Sequence, residues 1–158
     1  MRKPWNLVNH PVYSLATYDH DVNMNICTYV TPISLKPKLF SIAVYQNTKT
    51  LVNLKTFKKR SVLQYLSTDH LDLIKPLGKK SGIKFDKASF LTKNDRLTHW
   101  KKNQVLKNCL AYVELELQDI IDTNGDHELL LFKAAKSESF DNNQGLMFQD
   151  LIDHGLIL

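Results

Sequence analysis

The chain has 158 residues, 43% hydrophobic and 23% charged, with only five Gly and five Pro; this is enough apolar material for one buried core and too regular a composition for a disordered or fibrous chain. The formal net charge is +5 and the pI about 9.1, which favours an anionic partner without naming one. No apolar run approaches the roughly 18 residues of a bilayer span, and the start MRKPWNLVNHPVYS lacks the apolar centre of a secretory signal, so the expectation is one cytoplasmic domain over residues 1–158 with no membrane contact.

Strand signals come first along the chain. PVYSLATY (11–18), MNICTYV (24–30), LFSIAVY (39–45) and SVLQYL (61–66) are short, rich in β-branched and aromatic residues, and bounded by Asp, Asn, Pro or Lys. TKTLVNLKTFKK (48–59) sets Leu51, Leu54 and Phe57 at i, i+3, i+6, which predicts a helix with Thr48 as N-cap. A second helix is expected over 69–82 on Leu71, Ile74 and Leu77, cut short by Pro76. Residues 84–107 read as a long variable excursion.

From Ala111 the residues Ala111, Val113, Leu115 and Leu117 alternate with Tyr112, Glu114, Glu116 and Gln118, the period of a half-solvated antiparallel strand. HELLLFKAAK (127–136) follows across DTNGD, and the Asn124-Gly125 step suits a turn needing positive φ, so the two form a long hairpin. The core is placed at about 10–136. The segment 137–158 includes GLMFQDLIDHGLIL, apolar enough to pack on its own barrel or on another subunit. Six β segments with short helical covers predict an all-β core, a small closed or nearly closed antiparallel barrel.

Several chemistries are disfavoured by what the spacing lacks. DTNGDH (122–127) starts like a calcium loop but has His127 where the sharp turn requires Gly, and Lys133 where the final Glu belongs. The six histidines show no H-x-x-x-H spacing, and no Gly-rich nucleotide loop or G-x-S-x-G elbow occurs. Cys27 and Cys109 read as buried reduced thiols. Lysine clusters at 55–60, 78–80 and 99–102 read as a solvated face.

Residues 23–34, NMNICTYVTPIS, resemble the signature of the flavin reductase-like family of FMN-binding split barrels, with Thr28, Tyr29, Val30, Thr31, Pro32, Ile33 and Ser34 on its closing run. LFSIAVYQNTKT (39–50) is similar to the family's strand and phosphate-gripping turn, GKKSGIKFDKASF (78–90) to its G-x-x-S-G-x-x-x-D-K-x-x-F segment, and GDHELLLFKA (125–134) to its Gly-Asp-His strand. The four pieces stand in family order. The resemblance implies an antiparallel FMN-binding split β-barrel of Greek-key type with short helical insertions. It further implies FMN as cofactor, with FAD or riboflavin as possible substrates, and hydride donated by NADH or NADPH. It also implies a homodimer with the flavin near the subunit boundary, passing electrons to an unnamed acceptor.

Carried onto matching positions, the resemblance gives Asn47, Thr48 and Thr50 as phosphate partners with Lys49 as the cation. Read without it, Thr48 only caps a helix and Lys49 is solvated. Asn25, Cys27, Thr28 and Tyr29 would offer small side chains and backbone groups to the isoalloxazine, and His127 would lie near flavin and nicotinamide. Ser81 and Gly82 match the family's Ser-Gly without an assigned role. The chain departs from the pattern at Asn25-Ile26, where many members have Met-Thr, and at Thr28-Tyr29 in place of Ser-Trp; the hydroxyl that Thr would supply at Ile26 is gone.

The function expected is therefore an NAD(P)H-dependent flavin reductase. The alternative is an FMN-binding electron-transfer or carrier protein without that activity. A third reading, a basic nucleic-acid-binding barrel, would use Tyr13, Tyr18, Tyr29 and Tyr45 for stacking and leaves the NTKT turn unexplained.

Overall fold

A computed structural model describes residues 1–57 and 60–157. Its centre is a seven-stranded antiparallel sheet made of β1 (Tyr13–Tyr18), β2 (Val22–Met24), β3 (Val30–Ser34), β4 (Leu39–Tyr45), β5 (Ser61–Tyr65), β8 (Ala111–Asp122) and β9 (His127–Ser139). Their order is β2-β1-β5-β8-β9-β4-β3, and β6 (Leu97–Trp100) and β7 (Asn103–Leu106) form a separate hairpin. The helices are α1 (Lys49–Phe57), α2 (Ile74–Gly78), α3 (Lys87–Lys93) and α4 (Phe148–Asp153).

The two edge strands, β2 and β3, are consecutive in the chain. Six interstrand spacings would hold them about 29 Å apart in a flat sheet, whereas residues 25–29 can span only about 20 Å. The sheet therefore has to curl. It does so without closing, as a split barrel, and residues 25–29 run across the gap. Cys27 exchanges two backbone hydrogen bonds with Tyr13 on β1, both 2.8 Å, and the Tyr29 carbonyl accepts from Ala43 N–H on β4 at 3.0 Å. The expected strand over 24–30 is thus corrected: its ends belong to β2 and β3, and its middle is the crossing.

Curling gives the sheet two buried faces. Leu15, Ile42, Leu63, Val113, Leu115 and Phe132 point into the barrel and meet Leu51 and Leu54 of α1. Ala16, Val62 and Tyr112 point the other way, into a second core closed by Leu73, Ile74, Leu77, Leu91 and Val105. The half-solvated reading of β8 is therefore corrected over its first half, where Glu114 is only 3% exposed. Its carboxylate accepts from Asn103 Nδ2 at 2.9 Å, which keeps the buried charge hydrogen-bonded.

The expected helix over 69–82 is a 3-10 turn, Thr68–Leu73, running into α2, with Pro76 inside the short helix rather than at its end. The excursion at 84–107 is ordered. Asp86 accepts from Ser89 N–H at 3.0 Å to cap α3, and the β6–β7 hairpin turns at Lys101 with φ 54°. Gln64 ties that hairpin to the sheet, accepting from Leu106 N–H at 2.7 Å and donating to Ser14 Oγ at 3.2 Å. The long hairpin β8–β9 forms as expected, with Asn124 alone adopting positive φ, 57°. Lys58 and Lys59 of the first lysine cluster lie outside the described residues.

The segment from 145 onward packs on its own barrel. Val12 N–H donates to Leu146 C=O and Leu146 N–H to Leu66 C=O, both 2.8 Å, while Leu146 and Leu151 enter the second core. Of the four tyrosines in the nucleic-acid reading, Tyr13 is buried and half-buried Tyr18 donates its hydroxyl to Gln104 C=O at 2.7 Å, whereas Tyr29 and Tyr45 are exposed. No helix among the described residues is long and apolar enough to cross a membrane.

Leu146 is fully buried, so Leu146→Ala should lower unfolding stability by about 2–5 kcal/mol through lost transfer energy and an unfilled cavity. Urea denaturation read by tryptophan fluorescence measures it; an unchanged midpoint would remove the segment from the core.

Candidate functional site

Beside the crossing segment lies a cavity of about 390 Å³. Its walls are residues 25–29, the end of β4, the first turn of α1, the turn after α2, and His127 at the start of β9. All nine residues singled out from the sequence line it: Asn25, Cys27, Thr28, Tyr29, Asn47, Thr48, Lys49, Thr50 and His127. They come from three separate stretches, and the curl of the sheet brings them together. A larger cavity, about 580 Å³, is lined by Tyr13, Phe40, Tyr65 and Glu138 among others and contains none of the nine; the chemistry of the lining, not size, marks the site.

The first turn of α1 enters the cavity as a donor-rich end. The Thr48 hydroxyl donates to Tyr45 C=O at 2.8 Å and accepts from Leu51 N–H at 3.3 Å, so Thr48 is the N-cap that its position predicted. The early N–H groups of a helix have no intrahelical partner and carry the positive end of its dipole. Thr50 is buried and accepts from Asn23 Nδ2 at 3.2 Å. Lys49 is not a free cation: its ammonium lies 3.2 Å from Asp19. Desolvation works to raise the Asp19 carboxyl, but hydrogen bonds from Asp21 N–H and Lys49 outweigh it and hold the group below its ordinary value.

The crossing segment contributes less than its composition suggests. Asn25 Oδ1 accepts from Leu15 N–H at 2.8 Å, and both backbone groups of Cys27 are held by Tyr13, so these residues shape the wall. Burial pushes the Cys27 thiol up to about 12, which keeps it protonated at neutral pH. Thr28 is half-buried and Tyr29 exposed. Tyr29 and Tyr45 flank His127, each with ring centroids 5.4 Å from the imidazole, and His127 Nδ1 meets Asp126 Oδ1 at 2.6 Å. These three rings form an aromatic wall.

Sequence reasoning passed over Asn23 and Lys87 and left Gly82 without a role. A Cβ at Gly82 would stand 2.3 Å from Asn23 Oδ1 and 3.1 Å from Lys49 Cβ, so only glycine lets this turn close on the wall. Asn23 is 2% exposed, and its Oδ1 has no hydrogen-bond partner. Lys87, 6% exposed, donates to Met24 C=O at 2.9 Å and Leu77 C=O at 2.7 Å. Loss of solvent pushes its amine down to about 8. Lys87 lies in the DK pair of the 78–90 segment, which was the available signal. The cavity lining holds four lysines, Lys49, Lys79, Lys80 and Lys87, and no carboxylate; such a surface favours an anion. Among the described residues no cluster of three or more His, Cys, Asp or Glu is placed to hold a metal.

The sequence matches the family model described as the flavin reductase like domain over residues 5–151, and the chain belongs to that family. This sets it among flavin reductases and FMN-binding proteins. No curated protein sequence matches it. Among solved structures it is similar to the FMN-binding protein of Thermus thermophilus with bound p-hydroxybenzaldehyde, at 20% identity over 88% of this chain and 77% of that one, with TM-score 0.75. The styrene monooxygenase flavin reductase of Pseudomonas putida aligns at 18% identity over 91% and 88%, with TM-score 0.75. The NADH:FAD oxidoreductase of Streptomyces globisporus in complex with NAD and FAD fragments aligns at 14% over 91% and 83%, with TM-score 0.76. At these identities the likeness establishes the fold, the antiparallel split barrel.

Lys87 has its pKa lowered on folding, so between about pH 8 and the unperturbed 10.5 the unfolded chain binds more protons than the native one. Stability of the ligand-free protein should rise with pH across that window, by about 3 kcal/mol in full, and this contribution should be flat below it. Denaturant titrations from pH 7 to 10 would show the slope, and Lys87→Met should flatten it.

Proposed function

We propose that this chain is an FMN-binding oxidoreductase that transfers hydride from NADH or NADPH to flavin and passes the electrons, or the reduced flavin, to an acceptor. One observation carries the reading: a single cavity joins a capped helix N-terminus, four lysines without a carboxylate, and an aromatic wall of Tyr29, Tyr45 and His127. The donor set fits a flavin mononucleotide, whose phosphate carries a charge of about −1.5 to −2 at neutral pH. The unpartnered Asn23 Oδ1 beside it fits a ligand that brings a hydrogen-bond donor, as a polyhydroxyl chain does.

In this reading the first turn of α1, with Asn47, Thr48, Lys49 and Thr50, holds the phosphate. Thr28 and the wall shaped by Asn25 and Cys27 receive the ring. His127, steadied by Asp126, orients the nicotinamide against it. When bound, the flavin supplies the hydride-accepting chemistry, and the chain positions, excludes water and sets the local charge. A single functional domain that works as a homodimer, with the cavity near the subunit boundary, accords with exposed Tyr29 and Tyr45 in the cavity lining.

The deciding experiment adds FMN to the purified protein, desalts it, and records the flavin absorbance before and after anaerobic NADH and then NADPH. Retained bands that bleach establish the reductase and its donor. Retained bands that persist with both donors make the protein a flavin carrier or a partner-driven electron-transfer protein. Thr48→Ala should weaken FMN about 5–10-fold by removing the cap that holds the first turn of α1 in place, while changing riboflavin affinity less than about twofold; fluorescence quenching reads both. His127→Ala should slow anaerobic bleaching about tenfold or more by misorienting the donor, with FMN affinity little changed.

A further inference from the structure

The larger cavity, about 580 Å³, opens at the end of the barrel opposite α1. Register places it there: Tyr13 pairs with Tyr65, Tyr65 with Ala111 and Ala111 with Ser139, and Phe40 starts the strand whose other end leads into α1. Its floor is the barrel interior itself. Tyr13, Phe40 and Val113 belong to the inner core and also line this cavity, so the last inward-facing side chains of three strands look onto an unfilled mouth. Backbone hydrogen bonds fix the rim: Leu146 bridges Val12 and Leu66, both at 2.8 Å, and Phe140 N–H donates to Leu110 C=O at 2.8 Å. The mouth is therefore formed before anything enters it.

Two phenols dominate the lining. Tyr13 and Tyr65 meet edge to face with ring centroids 4.9 Å apart. Elsewhere on the sheet, Tyr18 donates its hydroxyl to Gln104 C=O and Tyr112 to Leu106 C=O. The hydroxyls of Tyr13 and Tyr65 have no hydrogen-bond partner among the described residues. Burial, then the neighbouring Tyr65 phenol and Cys27 thiol, push Tyr13 up to about 12, and burial raises Tyr65. Both phenols thus stay protonated at neutral pH and present unused O–H donors to the cavity.

The charged groups of the lining, Lys38, Glu138 and Asp141, are half-buried or exposed and stand at the rim. The Lys38 ammonium lies 5.6 Å from the Phe40 ring centroid. Glu138 accepts from Trp100 Nε1 at 2.6 Å, and Asp141 from Asn143 N–H and Nδ2, both at 2.9 Å. One cation against two acids gives an anion no advantage, and a carboxylate entering here would lose water beside like charge. An organic cation would meet Lys38 at the same ring and bring the phenols no acceptor. A flat uncharged ring that carries a hydrogen-bond acceptor fits both the walls and the donors.

We propose that the open barrel mouth is a second ligand site, for a neutral aromatic carbonyl compound whose ring packs on Tyr13, Phe40 and Tyr65 and whose oxygen accepts from the two phenols. The two sites stand back to back. Tyr13 on one side exchanges backbone hydrogen bonds with Cys27, which lines the other, and the two linings share no residue. The mouth needs no flavin to be complete.

Two-dimensional ¹H–¹⁵N NMR of the protein titrated with acetophenone, ethylbenzene and benzoate tests this. Acetophenone should move the amide signals of Tyr65, Val113 and Ala134, leave those of Thr28 and Thr50 in place, and bind about fivefold or more tighter than either comparator. Tyr65→Phe should weaken acetophenone about 3–10-fold, the loss of one neutral hydrogen bond, and leave ethylbenzene within about twofold. Equal affinity for acetophenone and ethylbenzene would overturn the proposal and leave the mouth an unselective apolar hollow. Tighter binding of benzoate would overturn it too, as would shifts confined to the flavin cavity or no shifts up to the solubility of acetophenone. Signals at the mouth that move with protein concentration alone would place a second copy of the chain there and overturn the ligand site. The titrations of the unmodified protein decide these outcomes without requiring any variant to fold.

Discussion

Residues 25–29 have to cross between the two edges of a seven-stranded sheet, and they are too short to do so unless the sheet curls. The two backbone hydrogen bonds between Cys27 and Tyr13, and the third from Ala43 to Tyr29, set where that crossing lies. Much of the rest follows from this one constraint. The curl separates a barrel interior from an outer core, and the crossing becomes one wall of the cavity. It also brings the N-terminal turn of α1 and the start of β9 to the same place. Asn25 extends the pinning by accepting from Leu15 N–H, so the residues nearest the cavity are held by the strands behind them and not by a ligand.

The electrostatics of the cavity have the same two-layer character. Lys49, the cation at the helix end, is offset by Asp19, whereas Lys87 is enclosed by two carbonyl groups and has no acid beside it. The half-buried pair of the first kind is partly screened by solvent. A buried, unpaired amine of the second kind responds strongly to any charge placed near it. Positive charge in the lining is therefore unequal in its surroundings: Lys49 is offset by an acid, and Lys87 is held by carbonyl groups alone.

Several elements were legible because their signal is local. The alternation at 111–118 and the Asn124 turn predicted the β8–β9 hairpin, and the Leu51–Leu54 spacing behind Thr48 predicted α1 and its cap. The motif resemblance at 23–34, 39–50 and 125–134 nominated nine residues that the fold gathers around one cavity. Other elements were hidden for identifiable reasons. The β6–β7 hairpin turns at Lys101 in positive φ without a glycine to announce it. The stretch 24–30 carries strand composition throughout, yet its middle residues pair singly with two different strands. Glu114 looked solvent-facing because a polar residue on alternating spacing normally is, and here the outer core covers it.

By itself the sequence determined the strand and helix periods, the turn at Asn124, the cap at Thr48, the net positive charge and the family to which the chain belongs. Each of these depends on residues within a few positions of one another or on motifs in order along the chain. Only the tertiary structure decided which lysine is paired, which polar atoms are left without partners, and that Asn25 and Cys27 are engaged in the fold. Those properties depend on distances between residues far apart in sequence: Lys49 to Asp19, Lys87 to Met24, Gly82 to Asn23. Burial sets their strength, and burial exists only once the sheet has curled.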